Sequence, residues 1–306
     1  MAEQLPLLPA QEEKPSLKPS SPLSKAIEGF HGYMLRQGFT QNTIKSFLWD
    51  LSLFSRYLGE EHPVGQIGVA DLRGFLEYLL YKRGKPCKPK SYARRLTTLK
   101  VFFGWLHKEG IIPEDPAAPL PHRPVSTPLP KVLNESQVER LLEAAKRLAS
   151  GPKPDFRPLL LVRLVLSTGM KKSECLSLRL ADIDLSDPEQ PAVLIRYENP
   201  KMRHKERKLA LPPDIVPVLK SYVEQYKPRE RLFECTGRNL EYVLHHLAQQ
   251  AGIPGGLTFE MMRWTAALRD YKAGMPPEKL RRKLGLSRIS WAETLEKLEK
   301  LAASPL

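Results

Sequence analysis

Residues Thr258–Gly274 read TFEMMRWTAALRDYKAG. Apolar side chains recur there at helical steps and a glycine closes the run. Arg263 and Trp264 interrupt the pattern, and Glu260 stands three places before the arginine. Such a stretch is either part of a phosphate-handling site or an ordinary core helix carrying an ion pair. The surrounding sequence decides between them.

Upstream, FRPLLLVRLVLSTG (156–169) is apolar enough for a buried helix. AVLIRYENP and KMRHKERKLALP (192–212) alternate as two strands of a hairpin around NPKMRHK. LNESQVERLLEAAKRLA (133–149) opens a helix with Asn134 as N-cap and Gln137 in the capping-box position. Before it, residues 113–131 hold prolines too dense for a helix, which predicts an extended connector. Residues 23–112 carry four amphipathic helical patterns. Thr40 is the expected N-cap of the second, Gly59 its stop, and VADLRGFLEYLLYKRG and KSYARRLTTLKVFFGWLHKEG are the third and fourth. The expected organisation is therefore a leader (1–22), a helical bundle (23–112), a proline-rich linker (113–131) and a larger, mainly α domain (132–306) with a small β-hairpin.

The 306 residues carry a formal net charge of +14. That excess favours a polyanionic partner, nucleic acid first and an anionic membrane surface second, over a merely solvated basic surface. Cys87, Cys175 and Cys235 stand far apart without a CxxC pair, so no disulfide framework or zinc cluster is suggested, and no metal or cofactor enters the expectation. A reducing, cytoplasmic compartment fits. The proline- and serine-rich first 22 residues read as a disordered leader, with neither an export signal nor a membrane span.

Several stretches, in order, resemble the tyrosine recombinase family, the phage integrases and Xer-like proteins. They are TQNTIKSFLWDLSLFSRYL (40–58), RRLTTLKVFFGWLHKEGIIPEDPAAPL (94–120), LPKVLNESQVERLLEA (129–144), LSTGMKKSECLSLRLADID (166–184), the basic hairpin, the 258–275 stretch and LRRKLGLSRIS (280–290). The resemblance covers nearly the whole chain. It implies a four-helix, SAM-like core-binding domain and an α-rich catalytic-type domain closing as a C-shaped clamp on double-stranded DNA. The family's chemistry needs a tyrosine to attack a phosphate, cations on the non-bridging oxygens and an acid for the leaving oxygen.

The family's slots are occupied unusually. Lys171 stands where the first arginine is expected; it keeps the charge and loses the bidentate fork. The hairpin lysine is Lys201 or Lys205, with Arg203 and Arg207 close by. Glu260 replaces the histidine of the HxxR box, a carboxylate that would repel phosphate unless it pairs with Arg263 or Lys171, while Arg263 remains in place. Leu286 stands in the next histidine or tryptophan slot and Leu295 in the nucleophile's. Ser287, Ser290 and Thr294 are nearby hydroxyls without an adjacent base.

DNA contacts are expected from Thr43, Lys45 and Ser46, from Lys88, Lys90, Ser91, Arg94 and Arg95, and from Lys171, Lys201, Arg203, Lys205, Arg207 and Arg263. The apolar stripe of Trp291, Leu295, Leu298 and Leu301 suits either docking on a neighbouring subunit or packing on its own domain. Three functions compete. One is a non-cleaving pseudo-recombinase at a recombination site beside an active homologous recombinase. Another is an active recombinase or integrase with non-standard residues, and the third an architectural or regulatory DNA-binding protein.

Overall fold

The computed structural model describes residues 17–85, 87–122 and 128–304. The chain forms two compact units, divided between Thr127 and Pro128.

In the first unit, α1 (Leu23–Arg36), α2 (Gln41–Leu58), α3 (Val69–Glu77) and α4 (Pro89–Lys108) enclose an aromatic core built on Phe30, Phe54, Phe75, Phe102 and Phe103. Rings meet edge to face where the helices cross, as for Phe30 and Phe102 at 5.3 Å between centroids. Thr40 caps α2 by accepting the Thr43 N–H at 3.2 Å, and Gly59 ends it at a φ of +107°. The third helix is shorter than its sequence pattern. It loosens into a π-helical turn over Tyr78–Lys82, where Leu79 still reaches the core.

Most of the expected leader, residues 1–16, lies outside the described residues. Its last part does not behave as a tail. Pro22 bridges to Pro63, and the carbonyls of Pro19 and Ser21 accept the Gly65 and Val64 N–H groups at 2.8 and 3.0 Å. The connector is corrected in the same way, because Ala117 and Leu120 are buried in the first unit's core.

The second unit is arranged around α6 (Arg157–Thr168), apolar on nearly every face and packed on by α5 (Glu135–Ser150), α8 (Ile215–Tyr226), α9 (Gly237–Gln250) and α10 (Phe259–Lys272). Asn134 and Gln137 form the reciprocal cap of α5, at 2.8 and 3.0 Å. The hairpin pairs β2 (Ala192–Ile195) with β3 (Arg207–Ala210), Ala192 opposite Ala210, and a short β1 (Ile183–Asp184) adds a third antiparallel strand. Its tip is a 3-10 turn over Pro200–Lys205.

Between α6 and the hairpin lies the short α7 (Lys172–Ser177). Beyond α10, α11 (Pro277–Lys283) and α12 (Arg288–Ala303) gather a separate apolar cluster with Leu268, Leu284, Trp291, Leu298 and Leu301. The C-terminal stripe thus packs on its own unit rather than standing free for a neighbour. No helix among the described residues is long and apolar enough to cross a membrane.

Candidate functional site

Three chain segments converge in the second unit on one buried carboxylate, Glu174, whose side chain is 1% exposed. Arg207, at the start of β3, grips it with both guanidinium nitrogens, Nη1 to Oε1 at 3.1 Å and Nη2 to Oε2 at 2.9 Å. The Lys171 N–H donates to Oε2 at 2.8 Å, the Tyr197 hydroxyl donates to Oε1, and the Lys171 ammonium stands 3.8 Å away. Burial alone would raise this carboxyl. The directed bonds and charge of Arg207, with the other donors, outweigh burial and hold it below the usual range. The same contacts push the Tyr197 phenol up to about 12, through burial first and its bond to Glu174 second.

Arg207 also donates Nε to the Lys283 carbonyl at 2.7 Å, tying the hairpin to the end of α11. Gly285 follows at a φ of +61°, and any Cβ there would come within 2.7 Å of Arg207 Nη1. Gly169 plays the matching part on the other side. It ends α6 at a φ of +63° so that the chain can turn into Lys171 and α7.

Arg263 rises from the first turns of α10 between these two glycine turns. One guanidinium nitrogen donates to the Gly169 carbonyl and the other to the Leu284 carbonyl at 2.6 Å. Burial, more than any neighbouring charge, lowers its pKa to about 10. Glu260 is exposed in the first turn of α10 and, among the described residues, forms no ion pair with either Arg263 or Lys171. Of the two alternatives for Glu260, repelling phosphate or pairing with one of these cations, the pairing is not formed among the described residues. Arg263 is satisfied by backbone carbonyls, which leaves Glu260 facing solvent.

A cleft of about 1130 Å³ opens beside Lys171 and Arg263. Glu260 and Arg238 line it, and so do Tyr242 and His245, which sequence reasoning did not single out. Arg238, Tyr242 and His245 follow one another at helical steps along α9, a spacing indistinguishable in sequence from a solvated helix face. Arg238 lies over the Tyr242 ring at 5.6 Å, and Lys172 pairs with Glu241 at 2.6 Å.

The other expected site residues divide into two groups. Lys201 and Arg203 are exposed on the hairpin tip, whereas Lys205 is half-buried and its charge bears on Lys171. Leu286 and Leu295 pack against the cluster of α10, α11 and α12. In the first unit Lys45, Lys88 and Lys90 are exposed, while Thr43, Ser46, Ser91 and Arg94 are half-buried. Arg94 donates to the Ser46 carbonyl at 3.1 Å and to Asp50 at 2.9 Å.

Arg95 requires a correction. Its side chain is 8% exposed and turned onto Asp50 and the Cys87 sulfur, so it is not presented to a phosphate. Arg207 is removed from the expected contact set on the same ground, at 9% exposed and bound to Glu174. No group of three or more potential metal ligands occurs among the described residues.

Residues 131–295 match the model of the phage integrase family, and residues 27–110 match the phage integrase N-terminal SAM-like domain. The chain belongs to the phage integrase family. Among its relatives, a tyrosine recombinase of Thermosipho africanus is 27% identical over 215 residues, 69% of this chain and 71% of that one. Tyrosine recombinase XerD of Listeria monocytogenes is 24% identical over 294 residues, 91% of this chain and 96% of the relative. A crystal structure of the site-specific recombinase XerH, bound to its palindromic difH substrate after cleavage, superposes with a TM-score of 0.73 at 18% identity, covering 96% of each chain. Within this integrase fold, the family match runs up to Leu295.

Proposed function

We propose that this member of the phage integrase family binds duplex DNA at a recombination site and does not cut it by tyrosine chemistry. The observation that carries this reading is that Leu295, which the family resemblance puts in the nucleophile's slot, is an aliphatic side chain packed against the cluster of α10, α11 and α12. Leu286 beside it offers no proton, and Glu260 stands where a phosphate-binding histidine is expected. Positive charge persists at Lys171, Arg263, Arg238 and the hairpin tip, so the surface can hold phosphates that it cannot attack. Residues 23–112 would supply the core-binding surface and 132–306 the phosphate cleft, in the cytoplasm where chromosomal DNA lies. An active homologous recombinase would supply the missing tyrosine.

The test is retention of duplex DNA by the unaltered protein across a salt series, each sample then denatured in SDS. Retention that falls steeply with salt, and vanishes in SDS, is expected. A protein–DNA species surviving SDS would overturn the reading. One observation favours a second reading in that event. Tyr197 is the tyrosine whose hydroxyl meets Glu174, the carboxylate that also receives the Lys171 N–H and Arg207, so an adduct would be sought there first.

A further inference from the structure

We propose that Lys171 is a reactive amine that captures an aldehyde entering the cleft, specifically C1′ of a ring-opened abasic deoxyribose in duplex DNA, as an imine. The proposal rests on the reading that the protein binds duplex DNA.

The first argument is residue type. An arginine at this position would be permanently charged and inert as a nucleophile, whereas a lysine can lose its proton and expose a lone pair. Geometry supplies the second. Lys171 lines the cleft with its side chain 33% exposed, and its nearest carboxylate oxygen, Glu174 Oε1, is 3.8 Å away, beyond hydrogen-bonding distance. That carboxylate is already occupied by Arg207, by Tyr197 and by the backbone N–H of Lys171 itself.

Lys172 provides the contrast. Its ammonium sits 2.6 Å from Glu241, so its nitrogen is held in a direct ion pair. Lys171 has no carboxylate that close among the described residues, and its surroundings oppose its charge. Burial lowers its affinity for the proton, Glu174 opposes this, and the charges of Arg263, Lys205 and Arg207 lower it further. More free amine is therefore present at neutral pH than on an ordinary surface lysine.

The chemistry is balanced without a co-reactant. The Nζ lone pair attacks the aldehyde carbon, and the carbonyl oxygen becomes the hydroxyl of a carbinolamine. Nitrogen gives up its protons, the hydroxyl leaves as water and a C=N bond replaces C=O. Water in the open cleft, whose lining also carries Glu260, takes up the protons that nitrogen gives up and supplies the one that the departing hydroxyl needs. An abasic sugar suits the site because no base fills the space beside C1′, and Arg238 and Arg263 line the cleft where its flanking phosphates would lie.

The experiment incubates the full chain with a duplex bearing one abasic site, and separately with the intact duplex, then adds borohydride to reduce any imine. Retained duplex is measured in parallel, so that adduct is expressed per bound duplex. An SDS-stable adduct is expected on the abasic duplex alone, mapping by peptide mass to Lys171. In Lys171→Arg, which keeps the positive charge, adduct per bound duplex should fall by about tenfold or more. Binding without any adduct overturns the proposal and leaves the DNA reading standing. Adduct spread over other lysines, or undiminished in Lys171→Arg, also overturns it. Failure to retain either duplex refutes the DNA reading, and the capture proposal falls with it.

Discussion

Asp50 in the first unit and Glu174 in the second are both carboxylates almost wholly removed from water, with side chains 2% and 1% exposed. Each faces more than one cation, yet their ionisation moves in opposite directions. Asp50 lies between α2 and α4 with Arg94 at 2.9 Å, Arg95 at 3.4 Å and the Thr98 hydroxyl at 3.1 Å. Burial dominates there and raises its carboxyl above the ordinary value. Glu174 receives both nitrogens of one guanidinium, a backbone N–H and a phenol, and these donors outweigh a comparable burial. The direction of each shift thus follows the balance between burial and the donors aimed at the two oxygens, which outweigh burial at Glu174 and do not at Asp50.

The comparison can be broken most forcefully at Glu174. Glu174→Ala leaves Arg207 buried without a counter-charge and should destabilise the second unit by about 3–5 kcal/mol in urea unfolding, because an unpaired interior charge is costly. Gly285→Ala acts on the other side of the same guanidinium. A Cβ at a φ of +61°, pressed on Arg207, should cost about 1–3 kcal/mol by the same measurement. Tyr197→Phe removes one donor from Glu174 and should cost about 1–2 kcal/mol. Asp50→Asn, by contrast, keeps the shape and an acceptor oxygen where burial already opposes the charge, and should cost the first unit about 1 kcal/mol.

Acid sharpens the same contrast. The Glu174 carboxyl is lowered in the folded protein, so its stabilisation is present above the unfolded value of 4.5 and is lost as pH falls through the lower folded value. The Asp50 carboxyl is raised, so its contribution is fully present below the unfolded value of 3.8 and is lost as pH rises through the raised one. Amide exchange corrected for intrinsic rates should therefore show α7 and β3 losing protection on acidification before α2 and α4. Loss in the reverse order would contradict the assignment of donors.

What could be read in advance was governed by distance along the chain. The Thr40 cap and the reciprocal cap of Asn134 and Gln137 are three-residue relations and follow from local chemistry. The pairing of β2 with β3 followed from alternation across a single turn. Arg207 and Glu174 are 33 residues apart, and nothing near either shows that they meet, so Arg207 passed for one more hairpin cation. Arg95 was misplaced for a similar reason, since Asp50 lies on a different helix. Tyr197 was overlooked because the expected nucleophile lies in the last helix, while this tyrosine follows β2, far from it in the sequence. The stripe of α12 suited two partners equally on its own, and only the positions of Leu268, Leu280 and Leu284 decide between them.

The central claim is that the protein holds DNA it does not cut. The most direct measurement is a pull-down, at moderate salt, of duplex fragments from the DNA flanking its gene, with each bound pool divided and one half stripped in SDS. The account predicts a selectively enriched set of fragments, all of it released by SDS. Fragments that stay attached to the protein after SDS would contradict it.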